Sequence, residues 1–336
     1  MTPKSFLALA TATLVAVLLA MVTSSTSNTG NVIADRGESF VSGLAEKANN
    51  ITSITTVTSD GTTTVTKKGN AFVDASGFPI KDETARQLVT SLALLSIEER
   101  KTDVADRHAD LELAAPDAKS GAGQRVTLKD SSDRVVADVI AGRREFTVGG
   151  TRGGQYVRNA SDTQAYLVRG TVNVPSGRSA WFDTSLTSVE NAKVLKVTAM
   201  AEDKPVFEVS RNGDKLDLTT VPEKRKTDPA KMTRLARLVA PLSFADVRKA
   251  KADSKPEGPV LTIEAKDGVK ITLTALNKAK GDDNWFRVEA VSSDNASEDL
   301  VKKLTEKAKG FEFQLSSRDA ELFWWTPNDL TTEAGS

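Results

Sequence analysis

One order of turns, strands and helix occurs twice along the chain, and any fold has to accommodate both copies. In the first, Ile51 to Thr58 is rich in β-branched residues and stops at Ser59-Asp60-Gly61, Thr62 to Thr66 returns, and Asn70 to Asp74 follows after Lys-Lys-Gly. Runs of this kind between turn residues predict a hairpin or meander. In the second copy, Val194 to Met200 and Val206 to Ser210 repeat the pair, Arg211-Asn212-Gly213 repeats the turn, and Lys215 to Leu218 repeats the third run. A helix follows each meander. Gly77 and Pro79 break the strands before Asp82, which caps a helix carrying Leu88, Leu92 and Leu95, while Asp228-Pro229 opens the counterpart with Met232, Leu235 and Val239 along one side. The two helices end alike, Leu95-Ser96-Ile97-Glu98-Glu99 answering Leu242-Ser243-Phe244-Ala245-Asp246. A separation of roughly 145 residues is too long for a solenoid and suits a duplicated domain.

The match continues beyond the helices. Arg125 to Asp130 and Val135 to Ile140 correspond to Pro259 to Glu264 and Val269 to Leu276 around Asp267-Gly268, and Gln155-Tyr156-Val157-Arg158 corresponds to Asn284-Trp285-Phe286-Arg287. The second copy reads as closing in its own way. Ser297 caps a helix with Leu300 and Leu304, Phe311 to Leu315 alternates as a strand, and Arg318 to Trp325 ends in paired tryptophans. These patterns predict an α+β protein of two tandem related domains, each a mostly antiparallel sheet with a helix on one face, after an N-terminal membrane helix. The boundaries read as 1–23 for an anchor or signal, 24–49 for a tether and a short helix over Glu38 to Asn49, 50–186 and 187–330 for the two repeats, and 331–336 for a tail.

Composition excludes several classes. Forty-five basic residues balance 45 acidic ones, so no global field draws nucleic acid. The 336 residues contain no cysteine and one histidine, which removes disulfides, thiolate chemistry and multi-histidine metal sites. Lys4 precedes an uncharged apolar run, Phe6 to Val22, at the short limit for a membrane span and long for a signal-peptide core. It reads as an uncleaved single-pass anchor in the cytoplasmic membrane, with its N-terminus in the cytoplasm and the body in the periplasm, cleavage after Ser24 being the alternative.

With these segments laid out, the chain resembles the domain-of-unknown-function 4340 family of bacterial exported proteins. The resemblance rests on the N-terminal run, Gly43-Leu44-Ala45, Val126 to Asp130 leading to Val139-Ile-Ala-Gly142, Gln155 to Arg158, Ala165-Tyr166-Leu167-Val168 and Trp181-Phe182-Asp183. It implies a companion of an ABC-type transport system, related to gliding-motility and auxiliary transport components, to which no enzymatic activity is attached.

The remaining polar and aromatic residues point to surfaces rather than to chemistry. His108 lies in a polar linker and reads as a surface histidine. Val148 to Gly154 leads into a strand, so it reads as a turn and not as a phosphate loop. Asp282-Asp283, Glu298-Asp299 and the cluster Lys224-Arg225-Lys226 with Arg234 and Arg237 read as solvated faces. No catalytic, cofactor or metal residue is assigned. Tyr156, Arg158, Tyr166, Trp181, Asp183, Trp324 and Trp325 are the candidates for partner contact or a domain joint. The Trp181 indole N–H and the Asp183 carboxylate are expected to find nearby partners, and Trp324 and Trp325 to divide between inside and outside. The leading expectation is a non-enzymatic envelope scaffold beside a membrane transport complex, its partners the membrane through residues 6–22 and membrane proteins. The alternative is a small-molecule or glycan module using a groove between the repeats.

Overall fold

The computed structural model describes residues 35–334 apart from 118–120, 149, 188, 240, 252–255, 267, 282–283 and 294–297. The apolar run, Asp267, the pair Asp282-Asp283 and the cap Ser297 lie outside the described residues. In the first half of the chain the strands are β1 (Ile51–Thr58), β2 (Gly61–Lys68), β3 (Ala71–Asp74), β4 (Ser96–Arg100), β5 (Gln124–Asp130), β6 (Val135–Glu145), β7 (Gly154–Asn159) and β8 (Ala165–Arg169). There follow β9 (Ser185–Thr187), β10 (Val194–Ala201), β11 (Lys204–Asn212), β12 (Lys215–Leu218), β13 (Arg225–Thr227), β14 (Leu242–Ser243), β15 (Asp246–Lys249), β16 (Val260–Ala265), β17 (Val269–Ala275), β18 (Trp285–Ser292), β19 (Phe311–Gln314) and β20 (Thr331–Glu333). Among the described residues the α-helices are few: α1 (Leu44–Lys47), α2 (Asp82–Ala93), α3 (Pro229–Ala236), α4 (Glu298–Ala308) and α5 (Ser317–Ala320).

The chain forms two compact units, one of Met1–Lys67 with Asp82–Gly177 and the other of Lys68–Lys81 with Arg178–Ser336. In the first the strands run in the order β2-β1-β5-β6-β7-β8-β4, and in the second β12-β11-β10-β16-β17-β18-β19-β15, with antiparallel pairing throughout. The duplication read from turns and strands is thus a duplicated sheet path. β19 is the counterpart of β8, and α4 sits between β18 and β19 where the first copy has only the turn after Asn159. The second copy therefore follows the same path as the first, with a helix inserted.

Local chemistry accounts for the elements. β1 and β2 are threonine and valine rich, and in β1 Ile54, Thr56 and Thr58 turn inward while Thr55 faces out to share a hydrogen bond with Thr64 at 3.0 Å. On α2, Ala85, Leu88, Val89 and Leu92 form the buried stripe, each fully buried leucine contributing about 1.5–3 kcal/mol. For α3 the Asp228 side chain caps the amides of Ala230 and Lys231, with Pro229 at the first helical position.

The short helix expected over Glu38 to Asn49 is confined to α1 and a 3₁₀ turn at Ala48–Asn50. Residues 37–40 instead run along the edge strand β4. Gly37 N donates to Ile97 O at 2.7 Å, Ile97 N to Glu38 O at 2.8 Å and Phe40 N to Leu95 O at 2.9 Å. In the second unit β9 lies along β14 in the same manner, Phe244 N donating to Thr184 O at 3.0 Å. In the first unit the residues that lead into the first hairpin thus cover an edge that would otherwise offer unpaired backbone groups, and in the second they form a separate two-stranded sheet with β14.

The cover in the first unit is fastened by charge. Arg36 pairs with Glu98 and Asp35 with Arg100. Burial pushes the Glu98 carboxyl up, but hydrogen bonds from Arg169 and Arg36 outweigh it and hold the group below the usual carboxylate range. Because the folded-state value is depressed, this stabilisation is present above the ordinary carboxylate range and is lost as pH falls through it. Acidification to about pH 3 is therefore expected to lower the hydrogen-exchange protection of Gly37 and Phe40 amides. Glu98→Gln should weaken that pH response, the Asp35–Arg100 pair remaining to titrate; a response unchanged in the variant would contradict the assignment.

Candidate functional site

Three of the candidate residues sit on the adjacent strands β7 and β8 of the first unit. Alternation along β7 places Tyr156 and Arg158 on one face, and Val157 pairs with Tyr166. Tyr156 joins a small core of Leu113, Ile140, Ala165 and Leu167. Arg158 is 8% exposed, and its Nε donates to Leu113 O at 2.9 Å while Nη1 donates to the carbonyls of Asn159, Ala160 and Asp162, each at 3.1 Å. Burial, and then the nearby Arg125, hold this guanidinium below its ordinary value, with Asp138 and Asp162 opposing; it remains a cation. Tyr156 donates to Glu145 at 3.5 Å and lies 5.5 Å beneath the Arg143 guanidinium. The Glu145 carboxyl is held low by the hydroxyl and amide of Thr147. Tyr166 meets the Phe40 ring edge-on at 5.5 Å.

His108 departs from expectation. It is 5% exposed, and its Nε2 donates to Thr163 O at 2.8 Å, a carbonyl acceptor that fixes the proton on that nitrogen. The polar flank hid this because Ala105–Arg107 and Ala109–Leu111 form two consecutive 3₁₀ turns, burying the ring at their junction.

The other four candidates belong to the second unit. Trp181 closes the 3₁₀ turn Ser179–Trp181 and is fully buried, yet its Nε1 has no acceptor among the described residues, contrary to expectation. Its carbonyl accepts from Lys81 N at 2.8 Å. Asp183 is exposed and does find a partner, accepting from Lys307 Nζ at 3.2 Å, and the same ammonium reaches Ser185 O at 2.6 Å. Trp324 ends a 3₁₀ turn, Glu321–Trp324, rather than a strand, and donates to Lys278 O at 3.3 Å. Trp325 is buried, with Lys231 Nζ at 5.0 Å and the Arg234 guanidinium at 4.8 Å from its ring. Within the basic cluster, Arg225 is committed to Asn328 O and to the carbonyl and hydroxyl of Thr331.

An indole N–H buried without an acceptor costs about 1–3 kcal/mol. Trp181→Phe, which removes the donor and part of the ring, is accordingly expected to change unfolding free energy by less than about 1 kcal/mol, against about 3–5 kcal/mol for Trp181→Ala. Urea denaturation compares the two; equal losses would show that Nε1 is satisfied in solution.

Two further clusters in the second unit carry buried charge. Asp74 Oδ1 accepts from Ser76 N at 3.1 Å, Ser76 Oγ at 2.7 Å and Phe78 N at 2.9 Å, and Oδ2 accepts from Arg178 Nε at 2.8 Å. Arg178 also pairs with Asp246. This turn presents Phe78, whose ring meets Phe182, Phe244, Phe311 and Phe313 at 5.4, 5.5, 5.0 and 5.9 Å, all near edge-on. The Asp-x-Ser-x-Phe spacing signals such a turn, but not its aromatic socket. Glu312 is fully buried on β19, accepting from Arg248 at 2.9 Å and Arg287 at 3.3 Å, with Arg248 4.1 Å above Trp285. Arg287 is the repeat counterpart of Arg158, so the same position serves carbonyls in one copy and a carboxylate in the other.

Among the described residues no three histidine, aspartate or glutamate side chains gather as metal ligands, and no helix is long and apolar enough to cross a membrane. Neither a curated protein nor a solved structure matches the chain. A family model described as Domain of unknown function (DUF4340) matches residues 71–260, more than half of the sequence and across both copies of the sheet path. On that match, the chain belongs to the DUF4340 family.

Proposed function

We propose that this protein is a non-enzymatic interaction or scaffold subunit of the cell envelope, held at the cytoplasmic membrane by residues 6–22 and accessory to an ABC-type transport complex. One observation carries the reading: the buried ionisable side chains are committed to holding the fold. Arg158 is held by four carbonyls, Glu312 is clasped by two arginines, and Asp74 holds both its own turn and Arg178. Reactive groups in active sites are ordinarily left open toward a cleft. The tether reading draws support from Asp35 and Arg36, which fasten the chain to β4 thirteen residues after the apolar run ends at Val22.

The test is purification of the full-length chain from detergent-solubilised membranes. The expected result is membrane fractionation together with a transporter's membrane-spanning and nucleotide-binding components. A mature protein recovered free and soluble after cleavage of its N-terminal segment would overturn the proposal.

A further inference from the structure

The two most exposed large apolar side chains among the described residues stand on one rim of the first unit's sheet. Phe146 is 82% exposed and Leu94 63%. Strand register places them: Ser96, Arg169, Gly154 and Glu145 form one row across β4, β8, β7 and β6, and Leu94 and Phe146 lie just beyond its two ends. Three strand spacings separate those ends, about 15 Å. The exposure of Phe146 is built into its turn. Glu145 Oε1 accepts from Thr147 N at 3.1 Å and from Thr147 Oγ1 at 2.8 Å, and Val148 packs against the small core around Leu113, so the residues on either side of Phe146 are tied down while its ring is left in solvent. Arg143 and Arg144, both exposed, lie at the base of the same turn. Arg144 donates to Asn173 and Arg143 lies over Tyr156, and among the described residues neither guanidinium is in an ion pair.

The second copy shows that the fold does not require these side chains. Leu95 answers Leu242, so Pro241 stands where the first copy has Leu94. Beyond the bond from Leu276 N to Trp285 O the second copy passes from Asn277 to Asn284, a stretch without a large apolar residue, where the first copy has Phe146. An apolar pair held in water in one copy and absent from the other has no task in the core, and asks for a covering surface. The length of chain before Asp35 says which surface is within reach. Thirteen residue steps separate Val22, where the apolar run ends, from Asp35, which is fastened to Arg100 on β4. Fully extended they span at most about 45 Å. From Arg100 back to the row at Ser96 is four residues, about 13 Å. With residues 6–22 in a bilayer, the rim therefore lies within reach of the headgroups at all times, at a high effective concentration.

From this we infer that the Leu94–Phe146 rim rests on the surface of an anionic bilayer, Phe146 entering the interface while Arg143 and Arg144 meet lipid phosphates. Apolar side chains flanked by cations that no carboxylate neutralises suit the boundary between acyl chains and headgroups, and arginine's planar fork suits phosphate. This rests on the anchor reading above, and adds to it a fixed orientation of the first unit against the membrane.

The chain has no cysteine, so a single introduced thiol reports on a single place. The full-length chain is labelled with an environment-sensitive dye either at Thr151→Cys, exposed in the turn that follows Phe146, or at Val104→Cys, exposed past the far end of β4. It is then reconstituted into vesicles of phosphatidylethanolamine and phosphatidylglycerol that carry a nitroxide headgroup lipid, and flotation of the chain with its vesicles is scored in the same samples. Emission from position 151 should move to the blue and be quenched, and emission from position 104 should not. Phe146→Ser combined with Leu94→Ser should remove about half of the quenching or more, and pure phosphatidylcholine vesicles should weaken it. Flotation with the dye at 151 left in water, or quenching unchanged in the double variant, would overturn the inference while the anchor stands. Absence of flotation would overturn the anchor and the inference with it. Shielding at 151 in native membranes but not in lipid vesicles would assign the rim to a protein partner and overturn the bilayer contact.

Discussion

Phe78→Ala is expected to lower the unfolding free energy of the second unit by about 3–5 kcal/mol. The ring is fully buried and stands edge-on to four other phenylalanines, each such pair adding about 0.5–1.5 kcal/mol beyond area burial. Alanine leaves a cavity whose walls come from distant parts of the chain, Phe182, Phe244, Phe311 and Phe313, which cannot all collapse into it. The measurement has a natural reporter, because Trp181, Trp285, Trp324 and Trp325 all lie in the second unit. Urea titration followed by tryptophan fluorescence should show the midpoint falling with little change in slope. Phe78→Leu should recover part of the loss, and a shift below about 1 kcal/mol for alanine would mean that the aromatic cluster is not a cohesive core.

Arg158→Ala should cost the first unit about 2–4 kcal/mol. The carbonyl of Leu113 loses its donor inside the structure, while those of Asn159, Ala160 and Asp162 belong to a turn that water can reach in part. Loss of the packed methylene stem adds to the penalty. Arg158→Lys is not a conservative replacement here, because a single ammonium cannot span the Leu113 carbonyl and the turn together. It should retain less than half of the stability that alanine removes. Hydrogen exchange separates the effect from global unfolding: protection should fall around His108 to Leu113 and across β7 and β8, and stay unchanged in α3. Uniform loss of protection over both units would refute the local role.

Much of the architecture was legible because short-range chemistry carried it. Ser59-Asp60-Gly61 and Asn212-Gly213 mark tight turns, and Gly61 and Gly213 do sit at φ 113° and 59°, where glycine is favoured. Asp228-Pro229 placed the start of α3 to the residue. The duplication followed from the order of such signals. What escaped was set by tertiary context. Phe40, Leu44 and Ala48 have helical spacing, yet Phe40 is on an extended segment because the edge of β4 needs a partner. His108 looked exposed because its neighbours are polar, and only the folding of two 3₁₀ turns buries it. Glu312 alternates with two phenylalanines as an outward residue should, and nothing in its neighbours along the chain announces Arg248 and Arg287 around it.

The turn that carries Phe78 also says something about the order in which the protein can be completed. Phe78 emerges early from the ribosome, whereas Phe311 and Phe313 are made near the end; at roughly 5–20 residues per second the interval is on the order of tens of seconds. Throughout that time the ring has no socket. A nascent or partly exported chain therefore displays the Phe78-bearing turn without its socket until Phe311 and Phe313 are made, and any factor that escorts this protein to its folded state has that turn to hold.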